Sequence, residues 1–206
     1  MKKIYSLLNV SAIPDDFQKN FSQLPENLLI FPNWLPRFGQ LVERNHKNLE
    51  IVIDYPLGNG TLAKKAFECA EAFEKGAQEL LVVLTSRFLK GQAGNYDALA
   101  EELQLLQNLS LGRGEINLLI DLSTFREAEK LDLTDWLKQQ PFKKFTLRFK
   151  EDQVVENDLA IFHFALGNDL RLRLFLTKEA SIPTEWEKKY GIEAIYLPYL
   201  KNPIEE

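Results

Sequence analysis

The chain is short of the residues that most often carry chemistry on their own. Cys69 is the only cysteine among 206 residues, so no internal disulfide can form. It sits between Glu68 and Ala70 in a helical pattern, where a thiol behaves as a small apolar side chain. The two histidines, His46 and His163, are far apart in the chain, and no residues have the spacing of metal ligands. Neither a metal nor another cofactor is therefore expected. No apolar run is long enough to cross a bilayer. The formal net charge is −5 and no basic stripe stands out, which argues against nucleic acid as a partner. The opening "MKKIYSLLNVSA" places two lysines before a short apolar run, a faint imitation of a secretory leader. Ser6 and Asn9 interrupt that run, and a first β-strand fits it better. The expected location is the cytoplasm, with no membrane partner.

What is present is an alternation. Strand-like runs occur at Tyr5–Val10, Asn27–Phe31, Leu49–Tyr55, Glu79–Thr85, Glu115–Leu122, Lys144–Phe149, Leu170–Thr177 and Glu193–Leu197. Several are nearly continuous apolar runs, as expected of parallel strands covered on both faces. Helical patterns fall between them, at Asp15–Ser22, Pro36–Arg44, Thr61–Lys75, Tyr96–Leu109, Arg126–Gln139, Glu156–Leu166 and Thr184–Tyr190. In the third of these, Leu62, Ala66, Phe67, Ala70 and Phe73 form the expected core stripe, Thr61 the cap and Gly76 the stop. Eight strands alternating with seven helices predict one α/β domain over residues 1–206, either an open doubly wound sheet or a (β/α)8 barrel. The tail "PYLKNPIEE" is too short and too proline-broken for an eighth helix.

The stretch "DYPLGNGTLAKKAFECAEAFEKGAQELLVVL" resembles the region between the third and fourth strands of deoxyribose-phosphate aldolases. The matching pieces are Tyr55-Pro56-Leu57-Gly58, Lys64 and Lys65, Gly76-Ala77 and Glu79. "FPNWLP" (Phe31–Pro36) and "GNYDALAEEL" (Gly94–Leu103) are similar to flanking segments of that family, so the likeness covers roughly residues 28–103. It implies a TIM barrel and a class I aldolase that forms a Schiff base through lysine, a reaction needing an amine nucleophile and a proton-transfer partner.

Residue by residue, that chemistry is missing. The family's catalytic aspartate on strand four corresponds to Leu81, and the asparagine closing that strand to Thr85. The Schiff-base lysine of strand six corresponds to Arg148, or to Leu147 if the register slips by one. The lysine of strand seven corresponds to Arg173, and the glycines that follow both strands are absent. "AIYLPYL" offers no glycine for a phosphate loop. A guanidinium stays protonated and cannot attack a carbonyl to form an imine. The resemblance therefore points to a divergent aldolase relative without the aldolase reaction. Gly58 and Gly60 follow strand three, away from the usual phosphate loops of barrels, and are expected to serve a tight turn.

Alternation supplies the remaining expectations. Leu170, Leu172, Leu174 and Leu176 would face the helices, sending Arg171 and Arg173 inward; Thr146 and Arg148 would point inward on strand six. Buried guanidinium groups need carboxylates, and Asp54 and Asp121 end strands three and five. Arg148, Arg173, Asp121, Asp54 and Thr85 thus form the expected ligand-binding set. They compose either a satisfied polar core or a site for a small anionic, sugar-phosphate-like ligand. An active carbon–carbon lyase remains an alternative if a displaced lysine serves, with Lys144 and Lys178 as candidates. A protein-interaction scaffold is a third reading. Trp34, Trp136 and Trp186 read as packing groups, and Tyr196 and Tyr199 as cover for the side left bare by the missing helix, or as a homodimer surface there.

Overall fold

A computed structural model describes residues 1–9, 21–85, 96–167, 171–178 and 182–199. Eight parallel strands run β1 (Lys2–Ser6), β2 (Asn27–Ile30), β3 (Asn48–Ile53), β4 (Glu79–Val83), β5 (Glu115–Asp121), β6 (Lys144–Arg148), β7 (Arg171–Phe175) and β8 (Ile192–Pro198). Each pairs with the next, and β8 returns to β1, so the sheet closes into a barrel in sequence order. The barrel, and not the open sheet, is the fold. Six α-helices are described: α1 (Leu35–Asn45), α2 (Leu62–Glu74), α3 (Tyr96–Ser110), α4 (Glu127–Leu137), α5 (Glu156–Leu166) and α6 (Thr184–Tyr190). Most of the expected Asp15–Ser22 helix, and the expected missing eighth helix, fall outside the described residues; Phe21–Gln23 forms a 3-10 turn.

Period-two alternation divides the strands' apolar residues between two cores. Phe145, Leu147, Leu172, Leu174, Ile51, Ile53, Leu80 and Val82 pack outward with helix residues such as Leu103, Leu133 and Phe162. Ile4, Leu29, Val52, Leu81, Val83, Leu119, Phe175, Ala194 and Tyr196 fill the interior. Leu147 thus faces the helices while Arg148 takes the other face. The β7–β8 pairing shifts at Leu172/Arg173, so that Leu172 lies opposite Ile192 and Arg173 opposite Ala194. The extra residue, Glu193, lets Ile192 pack outward and Ala194 inward within one strand.

Two expectations are corrected. The first strand starts at Lys2 instead of Tyr5, because its ladder to β8 runs from Lys2↔Ala194 to Ser6↔Pro198. On α2 the buried residues are Lys65, Cys69, Ala72 and Phe73, while Phe67 is 69% exposed. The helix is rotated from its apolar stripe because Lys65 is drawn inward by Glu102 on α3, 2.6 Å away. Its ends are as expected: the Thr61 side chain accepts from the Lys64 N–H, and Gly76 leaves the helix at φ +90°.

Candidate functional site

In barrels of this kind chemistry gathers where strands end at their carboxyl termini, and the opposite face serves stability. Arg148 closes β6 at that mouth, beside Asp121 at the end of β5. The Arg148 Nε and Nη2 atoms donate to Asp121 Oδ2 at 3.1 and 2.6 Å, and Nη2 also donates to the Pro56 carbonyl at 3.1 Å. Asp121 Oδ1 accepts from the Ser123 N–H at 2.9 Å. Burial works against the Asp121 carboxylate, but the Ser123 and Arg148 hydrogen bonds outweigh it and hold the carboxyl below its usual range.

Beneath this pair the mouth has an aromatic floor. The guanidinium carbon of Arg148 stands 5.9 Å from the Tyr55 ring centre. Tyr55 packs on Phe175 at 5.8 Å and on Phe31 at 6.3 Å, and Phe175 on Tyr196 at 5.7 Å. Burial pushes the Tyr55 hydroxyl pKa up, with Arg148 opposing it. Phe175 is the register neighbour of Arg148, so a ring occupies the β7 position level with that arginine. Leu81 lies in the same interior cluster.

The loops around the mouth are closed by the chain's own carboxylates. Asp54, at φ +58°, accepts from the Gly60 N–H at 2.6 Å and from Lys64 Nζ at 2.7 Å. A Cβ on Gly58 would lie 2.5 Å from the Val83 carbonyl oxygen, and one on Gly60 2.6 Å from the Asp54 carboxylate. Gly58 is therefore required by close packing of the turn against the end of β4, and Gly60 by the Asp54 carboxylate that its N–H holds. Thr85 donates to Asn59 Oδ1 at 2.8 Å and ties the same turn to the end of β4. After β7, Thr177 gives its N–H and hydroxyl to Asp152 at 2.8 and 2.7 Å.

Arg173 lies deeper. It is level with Thr146, two residues below Phe175, and only 2% exposed. Its Nη1 meets Glu50 at 3.0 Å, Glu79 at 2.9 Å and the Tyr196 hydroxyl at 3.0 Å, and its Nε meets Glu193 at 3.2 Å. Tyr196 donates to Glu50, and Asn117 Nδ2 reaches Tyr196 and Thr146 at 3.0 and 2.8 Å. Burial, aided by Glu79, raises the Glu50 carboxyl pKa against the pull of Arg173. Burial would lower the Arg173 pKa, but Tyr196, Glu50 and Glu79 push it up instead. Tyr196 is driven well above its usual range by burial and by Glu50.

Among the expected site residues, Arg148 and Asp121 therefore meet, while Arg173 turns toward the amino-terminal end and pairs with glutamates. Asp54 and Thr85 brace the glycine turn. Arg171 has the inward parity but is exposed at the start of β7, beyond the packed interior. Lys144 opens β6 at the amino-terminal end, bonded to Glu115 and, at 3.1 Å, to Glu79. Lys178 is exposed. Tyr196 lies inside the barrel, and Tyr199 donates its N–H to the Ser6 carbonyl at 2.9 Å. Two clefts, of about 1000 and 710 Å³, open at the amino-terminal end, the first beside Glu50 and Glu79 and the second beside Lys144 and Arg171. Sequence reasoning missed Glu50, Glu79 and Glu193 as partners of Arg173, and Lys65, which is wholly buried and bonded to Glu102 and to the Val83 carbonyl at 3.2 Å. The inward parity of Glu50, against Ile51 and Ile53, was the signal for the first. Among the described residues no three His, Cys, Asp or Glu side chains are grouped as a metal site, and no helix is long and apolar enough to cross a membrane.

No family model matches the chain. A deoxyribose-phosphate aldolase of Clostridium kluyveri is 26% identical over 149 residues, covering 71% of this chain and 67% of that protein. One from Streptococcus suis is 24% identical over 176 residues, covering 82% and 78%. Among solved structures, the tetrameric deoxyribose phosphate aldolase of Aeropyrum pernix superposes with a TM-score of 0.75 at 15% identity, over 95% of this chain and 84% of that one. A D-tagatose 3-epimerase-like protein superposes with a TM-score of 0.61 at 14% identity, over 96% and 90%, so the barrel itself is shared more widely.

Proposed function

The chain is a divergent member of the deoxyribose-phosphate aldolase family, and from that premise we propose that it has lost imine-forming aldolase chemistry and holds a small organic anion at the barrel mouth. One observation carries the first half. Among the described residues, the inward positions at the carboxyl end of β6 and β7 are Arg148 and Phe175, and Leu81, which the resemblance sets at the family's strand-four aspartate, packs in the apolar interior. An imine needs a neutral amine within reach of a carbonyl carbon, and a guanidinium does not supply one. Of the described lysines near the rim, Lys64 is bonded to Asp54 and Lys65 to Glu102, while Lys178 is exposed after β7. Lys144, the other candidate, opens β6 at the amino-terminal end of the barrel and is bonded to Glu115.

The second half rests on Arg148. Asp121 fixes its Nε–Nη2 edge, and the Tyr55 hydroxyl bonds to the same guanidinium. A carboxylate or phosphate ester can approach the guanidinium at the mouth, with its carbon skeleton against Tyr55 and Phe175. The Gly60, Ser123 and Thr177 amides already serve the chain's own aspartates, so recognition falls to the guanidinium and not to a backbone cradle. Calorimetric titration with a sugar phosphate, inorganic phosphate and a short aliphatic carboxylate tests this. The expected result is saturable binding of the organic anions, lost in Arg148→Gln. Equal binding by the variant, or none by the parent, sinks the reading.

A further inference from the structure

Tyr55 follows β3, yet its ring packs on Phe175 of β7 at 5.8 Å and stands 5.9 Å from the guanidinium carbon of Arg148 on β6. In a barrel closed in sequence order, β3 and β7 lie four strands apart and face each other across the axis. The Tyr55 ring therefore lies across the barrel axis and caps the interior cluster of Phe175 and Tyr196. Phe31, just past β2, meets it at 6.3 Å and 66°, and Trp34 backs Phe31 at 6.2 Å and 75°. Trp34 and Phe175 are buried, while Phe31, Tyr55 and Leu8 are half-buried and remain partly accessible. The β1–β3 side of the mouth is thus apolar, and the β4–β6 side carries Thr85, Asp121 and Arg148.

The polar side has little to spare. A guanidinium has five N–H groups. Three are used on Asp121 and the Pro56 carbonyl, and the Tyr55 hydroxyl bonds to the same group, so at most one remains. Asp121 also offsets its charge at 2.6 Å. A phosphate ester brings roughly two negative charges and is gripped best by several charge-assisted bonds. A carboxylate brings one charge and can be held by a single bond. The groups suited to sugar hydroxyls are engaged by the fold as well: Asp54 by Gly60 and Lys64, Thr85 by Asn59, and Asp152 by Thr177. Affinity must then come mainly from the ligand's body, and the surface offered to that body is ring against ring.

Resting on the reading that Arg148 holds an organic anion, we infer that the ligand class is an aromatic monocarboxylate, its ring packed on Tyr55 and Phe31 and its carboxylate on Arg148. Tyr55 is then the residue that sets specificity: it caps the barrel where a sugar phosphate would need depth, and it supplies a flat platform instead.

Calorimetric titration of the full chain with benzoate, cyclohexanecarboxylate and a deoxysugar phosphate tests it. Cyclohexanecarboxylate has the same charge and a more apolar body, but no π face. Benzoate should bind about two- to tenfold more tightly than cyclohexanecarboxylate, the range an aromatic pair adds beyond burial, and the sugar phosphate should bind more weakly than either. Tyr55→Leu should abolish the preference for benzoate, and Phe31→Leu should reduce it; a melting curve shows that each variant is folded. Cyclohexanecarboxylate or the sugar phosphate binding as tightly as benzoate, with binding still lost in Arg148→Gln, overturns this inference and leaves the anion reading standing. A preference that persists in both folded variants also overturns it. Binding of none of the compounds overturns both.

Discussion

Replacing Arg173 by methionine tests the interior of the barrel most severely. Methionine keeps much of the volume and removes the charge. In the parent, Glu50 is 4% exposed at its side chain and is compensated chiefly by Arg173 and Tyr196. Glu79 and Glu193, at 16% and 35%, reach water and bear the loss more easily. Breaking a buried pair by removing one partner costs about 3–5 kcal/mol, because the other charge stays behind without compensation. For a chain of this length each kcal/mol lowers the melting temperature by roughly 2–4 °C, so a fall of about 6–20 °C is expected near neutral pH. The pH dependence is diagnostic. Glu50 binds its proton more tightly in the folded than in the unfolded chain, so its charged form costs stability as pH rises from the unfolded value of 4.5 through the raised folded one. Without Arg173 the folded pKa rises further. The deficit of the variant should thus be small near pH 4.5 and grow to its full size above the new folded pKa. Urea unfolding at a series of pH values reads both quantities, and Arg173→Met combined with Glu50→Gln should recover at least half the loss. A deficit under about 1 kcal/mol, the size of an exposed pair, or one independent of pH, would refute the hub.

The other predictions concern single side chains. Gly76→Ala should cost about 1 kcal/mol, the left-handed penalty alone, since a Cβ there meets nothing within 4 Å; Gly58→Ala adds a backbone clash and should cost about 3 kcal/mol by urea unfolding. Burial pushes the Cys69 thiol up to about 12, so the native protein should resist a thiol reagent at pH 8 and react fully once unfolded in urea.

Parity was the legible part of this site. The leucines at 172, 174 and 176 pack outward, and with them Arg173 is carried inside. Depth was not legible, because it depends on how eight strands are staggered around the barrel. That stagger sets Arg173 level with Thr146 and leaves Phe175 beside Arg148, so the two arginines occupy different layers. The carboxylates that satisfy Arg173 come from β3, β4 and β8, up to 123 residues away, and no local pattern announces them. The same holds for α2. Its apolar stripe is read easily, but the Lys65–Glu102 pair, 37 residues apart, decides which face is buried. Element positions were clearer: α5 and α6 span the stretches expected of them, Gly167 and Gly191 stop them at φ +83° and +64°, and β4 to β7 differ from expectation only at their ends.

Borohydride trapping tests the central claim directly. The full chain is incubated with a short aldehyde or with a deoxysugar phosphate, reduced, and measured by intact mass and peptide mapping. The account predicts the parent mass unchanged under conditions that label an active aldolase completely. A single stoichiometric adduct, mapped to one lysine and abolished by its replacement with methionine, would contradict it.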